Sequence, residues 1–248
     1  MTATRFLVER KNIRFPFARL EGGEHHHLSK VLRAKPGRQV WLVDDAGNSY
    51  EAEIVEVGET QTLLRILVLA PAEETRVRVT LGQALLKSKK MDWIVQKATE
   101  LGVDVIIPLA TARAIVKVGP WEGRRADRWQ KIARESAKQS RRSSIPEVEE
   151  PSFLRDFLIG QPASRKLILT EDGGTALKEI LPAGPGDADG DGISTVLLAV
   201  GPEGGWTKEE EADSLAAGFE AVSLGKQPLR SETAALAALA MISHFWRS

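Results

Sequence analysis

Two glycine-containing segments carry the residue types best suited to holding a ligand. The first runs from Val200 to Gly204 (VGPEG) after a stretch of apolar residues, and the second runs from Leu224 to Arg230 (LGKQPLR). Glycine lets the backbone approach a ligand closely, and ligands of open α/β sheets bind where strands end. Neither segment matches G-x-G-x-x-G or the P-loop pattern, so neither of those phosphate-binding motifs is indicated. A purely structural turn is the alternative interpretation.

Two side chains near the second segment could assist a reaction. Arg230 and Glu232 bracket the start of a predicted helix, with Ser231 as its expected N-cap. A helix N-terminus carries partial positive charge and unpaired N–H groups, which suit anions and polarised carbonyls. We therefore treat both residues as catalytic candidates. The alternative for Glu232 is a carboxylate that only stabilises the helix start.

Alternating strands and helices are predicted around these segments. Short runs of mostly apolar residues predict buried strands over 77–84, 103–109, 166–170, 195–200 and 221–224. Apolar residues at helical spacing and end signals predict helices over 90–101, 124–142, 207–218 and 232–246. A capping box, Thr207 with Glu210, opens the third of these helices. Such alternation indicates an α/β fold with a mainly parallel sheet.

The first seventy residues follow a different pattern. Short β-prone runs over 6–8, 39–43, 49–57 and 62–69 are separated by turn residues, which is typical of a small antiparallel barrel or sandwich. One helix is predicted over 24–33, with Leu28, Val31 and Leu32 as its apolar stripe. The polar, proline-marked stretch that begins at Ala70 is a linker candidate, so we predict domains over 1–71 and 72–248.

Composition and charge restrict the classes of function. The chain of 248 residues is 42% hydrophobic and has no cysteine, which excludes disulfide scaffolds and thiol chemistry. No signal peptide or membrane span is evident, so we expect a cytoplasmic protein. The net charge is zero, yet residues 76–142 hold 16 Lys+Arg against 6 Asp+Glu. That basic region indicates a polyanionic partner, with solvated helix faces as the alternative.

Two segments invite a metal hypothesis that their spacing does not support. Consecutive helical residues point about 100° apart, so His25, His26 and His27 cannot share one ligand sphere. The acidic run 186–192 starts like a calcium loop, but the position that needs a bidentate carboxylate is Leu198. We therefore expect no metal site, and His27 is instead a candidate RNA contact beside Lys30 and Arg33.

The two glycine-containing segments, read together as GPEGG and LGKQPLRSETAALAAL, resemble the signature of the RsmE family of 16S rRNA (uracil-N3)-methyltransferases in the SPOUT superfamily. The resemblance extends to LGQALLKSKKMDWIVQKATELGVDVIIPLATARAIVKV, WQKIARESAKQSRRSSIPEV and HHLSKVLRAKPGRQVWLVDDAGNSYEAEI, and so covers nearly the whole chain. Two positions depart from the family pattern: Pro228, where an aliphatic residue is more usual, and Arg141, where a glycine is usual.

The resemblance implies a PUA-like β-barrel over 1–71 and a SPOUT domain with a deep trefoil knot over 72–248. Periodicity alone would predict an ordinary open sheet, because knots are nearly absent from protein folds. It also implies S-adenosylmethionine as cofactor and a homodimer. The residues expected to hold the cofactor are Leu169, Thr170, Val200, Gly201, Pro202, Glu203, Gly204, Leu224, Gly225, Leu229, Thr233 and Ala234.

The resemblance further implies methylation of uridine N3 in the 16S rRNA of the small ribosomal subunit. Arg230 would stabilise negative charge on the base, and Glu232 would act as a base or orient Arg230. The expected RNA contacts are His27, Lys30, Arg33, Lys87, Lys89, Lys90, Arg113, Lys117, Lys138, Arg141 and Arg142. The alternatives are another SPOUT RNA methyltransferase, acting on a ribose 2′-hydroxyl or another base, and a non-catalytic RNA-binding assembly factor.

Overall fold

The structure, a computed structural model, describes residues 4–44, 48–70, 77–114, 124–140, 142, 144–160, 162–171, 173–185 and 194–247. The chain divides into two compact units. The N-terminal unit comprises Met1–Glu74 with Ala137–Ile145, and the C-terminal unit comprises Thr75–Ser136 with Pro146–Ser248. The predicted domain boundary at 71/72 lies outside the described residues.

The N-terminal unit is built on one curled, six-stranded sheet. Its strands are β1 (Arg5–Val8), β2 (Ile13–Arg14), β3 (Phe17–Glu21), β4 (Gln39–Asp44), β5 (Ser49–Val57) and β6 (Gln61–Ala70). Their order is β1-β4-β5-β6-β3-β2, and every pair except β1–β4 is antiparallel. Alternate side chains such as Leu42, Ile54 and Leu64 point inward and form the core.

Four of these strands match the predicted ones, whereas β2 and β3 were not predicted because Pro16 and several charged residues interrupt the apolar pattern. The predicted helix is shorter than expected. Helix α1 (Gly22–His26) leads into a π-type turn, His27–Val31, in which Leu28 is buried but Val31 is 63% exposed. The prediction that Val31 belongs to the apolar stripe is therefore wrong.

His25 has a structural role in this unit. Its buried ring contacts the Thr62 hydroxyl through Nδ1 at 2.9 Å and the Glu59 carbonyl through Nε2 at 3.1 Å. Both ring nitrogens are therefore occupied by protein atoms. Among the described residues, no group of three or more His, Cys, Asp or Glu side chains is placed to hold a metal ion.

The C-terminal unit contains an eight-stranded, parallel sheet flanked by helices. Its strands are β7 (Val77–Ala84), β8 (Val105–Ala110), β9 (Glu147–Val148), β10 (Ser152–Phe153), β11 (Arg165–Leu169), β12 (Thr175–Ala176), β13 (Ser194–Val200) and β14 (Glu220–Ser223). Its helices are α2 (Ser88–Glu100), α3 (Arg124–Gln139), α4 (Leu154–Gly160), α5 (Leu177–Ile180), α6 (Lys208–Ala216) and α7 (Ser231–Trp246). The order is β10-β8-β7-β13-β11-β14-β12, with β9 beside β8.

Strand β13 is apolar from Val196 to Val200 because both faces of the sheet are covered there. Val196, Leu198 and Val200 belong to one core, together with side chains of α2, α3 and α7, while Leu197 and Ala199 belong to the core on the opposite face, together with α4. This arrangement confirms the predicted α/β class and mainly parallel sheet. The expected trefoil knot stays a prediction.

Some boundaries differ from the predictions. Helix α3 ends at Gln139 rather than at residue 142. The short elements α4, α5, β9, β10 and β12 were not predicted, since two to seven residues carry too little periodicity. The calcium-like run 186–192 lies outside the described residues. Among the helices that the structure describes, none is long and apolar enough to cross a membrane.

Candidate active site

Three neighbouring parallel strands, β13, β11 and β14, end at the same edge of the sheet. Their last residues are Val200, Leu169 and Ser223, and each is followed by a loop. These loops and the first turn of α7 surround a cleft of about 540 Å³. Pockets for small molecules typically have about 300–1,000 Å³, so the cleft can take a nucleoside-sized ligand.

The cleft brings together most residues that the sequence assigned to a cofactor. These lining residues are Leu169, Thr170, Val200, Gly201, Pro202, Glu203, Gly204, Leu224, Gly225, Leu229 and Ala234. Thr233 is exposed on α7 and is not among the residues that line the cleft. The lining also includes residues to which the sequence gave no cofactor role, namely Arg113, Glu171, Gly205, Trp206, Lys208, Glu211, Gln227, Pro228 and Ser231.

Trp206 fixes the loop that follows β13. Its buried indole donates a hydrogen bond from Nε1 to the Leu169 carbonyl at 2.8 Å, which joins this loop to the end of β11. A Cβ at Gly201 would lie 3.1 Å from the ring, so the backbone can approach the indole closely only because residue 201 is glycine. Gly205, with a φ of +67°, closes the turn by donating to the Pro202 carbonyl at 2.9 Å.

Arg113 also holds this loop. Its Nη1 donates to the carbonyls of Gly204 and Trp206, both at 2.9 Å. The adjacent Ala112 N–H donates to Glu210 at 2.8 Å, and Glu210 also completes the predicted capping box with Thr207. The sequence placed Arg113 among RNA contacts, whereas the structure engages its guanidinium with cleft carbonyls. Nothing in the spacing of the sequence indicates this long-range contact.

A buried polar chain joins the two predicted loops beneath the cleft. Gln83, fully buried at the end of β7, donates from Nε2 to the Ser231 hydroxyl at 3.0 Å, and that hydroxyl donates to the Gly201 carbonyl. Ser231 was predicted to cap α7, and this is wrong: Arg230 occupies the N-cap, and the Ser231 side chain bonds to another loop. Its hydroxyl therefore stabilises the cleft rather than the helix start.

Lys90, on α2, links both loops electrostatically. Its Nζ lies 2.9 Å from a Glu203 carboxylate oxygen and 3.1 Å from one of Glu232. Hydrogen bonds to Glu203 and then to Glu232 raise the pKa of Lys90. Burial acts to raise the pKa of Glu203, but hydrogen bonds from Lys90 and the backbone outweigh it, so this pKa lies below its ordinary value.

The two catalytic candidates have different surroundings. Arg230 is exposed and lines the cleft, and within the described part of the chain its guanidinium has no hydrogen bond or ion pair. Glu232 is partly buried in the first turn of α7 and pairs with Lys90. The observed partner of Glu232 is therefore a lysine that the sequence had assigned to RNA.

The remaining candidate RNA contacts are spread over both units. Lys30 and Arg33 are exposed in the N-terminal unit, and Lys87 and Lys89 are exposed in the C-terminal unit. The other five positions differ. His27 packs with Phe6 at a ring separation of 5.8 Å, Lys138 pairs with Glu24 at 2.5 Å, and Arg142 donates to Ser144 at 3.2 Å. Lys117 and Arg141 lie outside the described residues.

Comparison with known proteins gives matches over both units. Residues 73–243 match the family described as RNA methyltransferase domain, and residues 20–67 match the RNA methyltransferase PUA domain. The first match includes all three loops that surround the cleft.

Curated relatives and a solved structure match nearly the whole chain. The ribosomal RNA small subunit methyltransferase E of Bacillus subtilis (strain 168) is 31% identical over 92% of this chain and 90% of its own length. The protein of the same name from a Synechocystis strain is 32% identical over 97% of this chain and 77% of its own length. A solved structure is also similar: the crystal structure of ribosomal RNA small subunit methyltransferase E from Neisseria gonorrhoeae bound to S-adenosyl methionine. It is 31% identical in sequence and superposes with a TM-score of 0.82, and the match covers 99% of this chain and 98% of the other chain.

Proposed function

Because the chain belongs to the ribosomal RNA small subunit methyltransferase E family of RNA methyltransferases, we propose that it methylates N3 of a uridine in 16S rRNA, using S-adenosylmethionine. The observation that carries this proposal is the cleft at the strand ends, which has the exposed Arg230 in its lining and two glycine-containing loops as its walls.

The shape and lining of the cleft fit the proposed cofactor. Apolar side chains of Leu169, Val200, Leu224 and Leu229 offer surfaces for the faces of an adenine, and the backbone of the loops supplies polar groups for its edge. When bound, the sulfonium of the cofactor supplies the reactive methyl group. The protein itself has to align the uridine and stabilise charge on it.

Arg230 is the proposed electrostatic catalyst. Uracil N3 carries a weakly acidic proton, and its loss spreads negative charge onto O2 and O4. A guanidinium at the N-cap of α7 adds its charge to the positive end of the helix dipole. Because Arg230 has no partner among the described residues, it can turn to the substrate without breaking an ion pair.

Glu232 is the proposed proton acceptor. Lys90 holds its carboxylate in the first turn of α7 at 3.1 Å, so the carboxylate keeps one orientation beside the loop that carries Arg230. A base must lie within hydrogen-bond reach of the proton that it removes, and a fixed carboxylate fulfils this geometric condition better than a mobile one. Lys90 would then act as a positioning residue in place of the phosphate contact that the sequence suggested.

The proposed RNA partner places further demands on the protein. N3 lies on the Watson–Crick edge of the base, so the target uridine must be unpaired or flipped outward. Exposed cations such as Lys30, Arg33, Lys87 and Lys89 are suited to phosphate contacts. An enzyme that acts on ribosomal subunits would work in the cytoplasm.

We also propose a homodimer, as expected from the resemblance. Two exposed aromatic side chains support it: Trp93 on α2 is 43% exposed, and Phe245 on α7 is 55% exposed. Large exposed apolar groups often mark protein interfaces. Sedimentation of the protein at micromolar concentration tests the dimer, and a monomer would contradict it.

The decisive experiment uses small ribosomal subunits from cells that lack the enzyme. The purified protein is incubated with these subunits and methyl-labelled S-adenosylmethionine, and the modified nucleoside is identified by mass spectrometry. We expect N3-methyluridine. A 2′-O-methylated nucleoside or another methylated base would indicate a different RNA methyltransferase, and absence of both cofactor binding and label would indicate a non-catalytic RNA-binding factor.

A further inference from the structure

An exposed aromatic ring lies between two arginines on the outer face of the N-terminal sheet. Arg14 on β2 pairs with Phe17 on β3, and Phe17 in turn pairs with Arg65 on β6. Residues directly opposite each other on antiparallel strands point to the same face, with Cβ atoms about 4.5–5.5 Å apart. The three side chains therefore form one row across three strands.

The core fixes which way this row points. Ala18 and Leu20, the alternate residues of β3, are at most 1% exposed, so Phe17 and Arg19 must point outward. A hydrogen bond from the Ile66 N–H of β6 to the Pro16 carbonyl, at 2.7 Å, holds the two-residue turn between β2 and β3. The sheet thus presents the row on a rigid backbone.

Apolar surface continues beyond the row. Phe15, in the turn, is 75% exposed, Phe17 is 41% exposed, and Leu67, two residues beyond Arg65 on β6, is 39% exposed. Two exposed rings separated by one residue, Pro16, cost hydrophobic free energy unless a partner covers them. Packing within the unit gives no reason for them, because the core lies on the opposite face of the sheet.

The charges around the rings favour binding of a polyanion. Residues 10–19 contain four Lys or Arg and no Asp or Glu, and two of these cations, Arg10 and Lys11, are paired with Asp44 and Glu9. Within the described part of the chain, neither Arg14 nor Arg19 has a hydrogen bond or ion pair, while Arg65 is paired with Glu53 at 2.9 Å. Unneutralised positive charge is therefore concentrated at the end of the face that carries the exposed rings.

We infer that this outer face, defined by Arg14, Phe15, Phe17, Arg19, Arg65 and Leu67, binds an unpaired segment of RNA. Bases would stack on Phe15 and Phe17, and phosphates would contact Arg14 and Arg19, which is the chemistry of single-strand recognition. The inference rests on the proposed function, since the segment would belong to the same RNA substrate. Residues 14–19 precede the part matched by the PUA family, which begins at residue 20.

The test measures binding of the full chain to a short, unstructured, fluorescently labelled oligoribonucleotide at several salt concentrations. One variant combines Phe15→Ala with Phe17→Ala, and another combines Arg14→Gln with Arg19→Gln. The matched control combines Phe153→Ala with Arg155→Gln, an exposed phenylalanine and an exposed arginine of the C-terminal unit that do not line the cleft. Thermal unfolding of each variant is recorded, and Phe17→Trp keeps a stacking ring at the same position.

We expect the phenylalanine variant to bind at least about fivefold more weakly with an unchanged salt slope. The arginine variant should bind more weakly and lose about 0.7 in the slope of log affinity against log salt for each phosphate contact removed. The control variant and Phe17→Trp should bind like the unaltered protein. Equal affinity of both face variants and the control would overturn the inference.

Methylation of small subunits by the unaltered protein is measured in parallel, so that two failures can be told apart. If the unaltered protein forms N3-methyluridine but the face variants bind RNA normally, only the outer-face inference is wrong. If no methylated uridine forms, the proposed function is wrong. A change in sedimentation of the RNA-free face variants would assign this face to a second copy of the chain and also overturn the inference.

Discussion

In and beside the cleft of the C-terminal unit, several polar side chains bond to distant parts of the chain, whereas on the outer face of the N-terminal unit two arginines have no partner within the described residues. Arg113 bonds to two carbonyls, Ser231 to Gly201, and Lys90 to two carboxylates. On the outer face, Arg14 and Arg19 surround exposed rings instead.

The difference indicates how each surface would recognise its ligand. A cleft whose walls are fixed by hydrogen bonds is preorganised, so little ordering free energy is lost on binding. An exposed face with long, unpartnered side chains can adapt to a variable strand and depends on charge and stacking. Substitutions in the cleft should therefore change ligand affinity and stability together, and substitutions on the outer face should change affinity alone.

Arg230 lines the cleft without a hydrogen bond or ion pair to any described residue, and its replacement should have the largest effect. We expect Arg230→Ala to lower the methylation rate by about 10²–10³-fold, as for loss of a group that stabilises transition-state charge. The thermal unfolding temperature should stay unchanged because the side chain is exposed, and cofactor affinity should stay unchanged because Arg230 is proposed to act on the uridine. Single-turnover methylation and calorimetric binding measure both. A rate within about threefold of normal would contradict the role of Arg230.

Gly201→Ala tests the fixed wall. The new Cβ would lie 3.1 Å from the Trp206 ring, so we expect overpacking to reduce the free energy of unfolding by about 1–3 kcal/mol. The displaced loop should lower cofactor affinity by about tenfold, or about 1.4 kcal/mol.

Gly160→Ala is the matched control for this change. A Cβ at residue 160 meets no atom within 4 Å, and Gly160 is the last residue of α4, remote in sequence from the loop. Urea unfolding and calorimetry should show no loss of stability or affinity there. Equal effects of the two substitutions would show that close contact with Trp206 is not what selects glycine at residue 201.

Arg113→Ala decides between the role seen in the cleft and the role predicted from sequence. Loss of the hydrogen bonds to Gly204 and Trp206 should weaken cofactor binding by about fivefold, or about 1 kcal/mol. The salt slope of RNA binding should stay unchanged. A slope reduced by about 0.7, with normal cofactor affinity, would instead support a phosphate contact.

The ion pairs of Lys90 should give the smallest effect. Because the pKa of Glu203 in the folded protein lies below its ordinary value of 4.5, its contribution to stability is present above that value and is lost as the pH falls through the folded pKa. For a partly exposed pair this amounts to about 0.2–1 kcal/mol. Between neutral and acidic pH, the free energy of unfolding of Lys90→Met should therefore change less than that of the unaltered protein. The control Lys89→Met should behave like the unaltered protein. Parallel curves for all three proteins would contradict the pairing.

Sequence patterns predicted the long elements well because each pattern repeats within the element. Strand β7 was predicted at its observed bounds, and the capping box at Thr207 is confirmed. Ser231 shows the limit of such patterns. A serine at a helix start usually accepts from the helix backbone, but here its hydroxyl bonds to Gly201, thirty residues earlier in the sequence.

The same limit applies to the candidate RNA contacts. A cation in a basic segment attracts phosphate if it is unpaired, and its partner can come from a distant part of the chain. Lys90 pairs with Glu232 across 142 positions and Lys138 with Glu24 across 114 positions. Conversely, Arg14 and Arg19 lie outside the basic region, so charge counting did not indicate them.

The sequence by itself determined the alternation of strands and helices, the two glycine-containing loops and the family resemblance, because these depend on local spacing and on motifs within single segments. Only the tertiary structure decided which side chains meet. Trp206 reaches the Leu169 carbonyl, Arg113 reaches the loop after β13, and Gln83 lies beneath Ser231, since parallel strands bring distant segments to one edge of the sheet. The physical reason is that hydrogen bonds and ion pairs act over a few ångströms in space, whatever the separation along the chain.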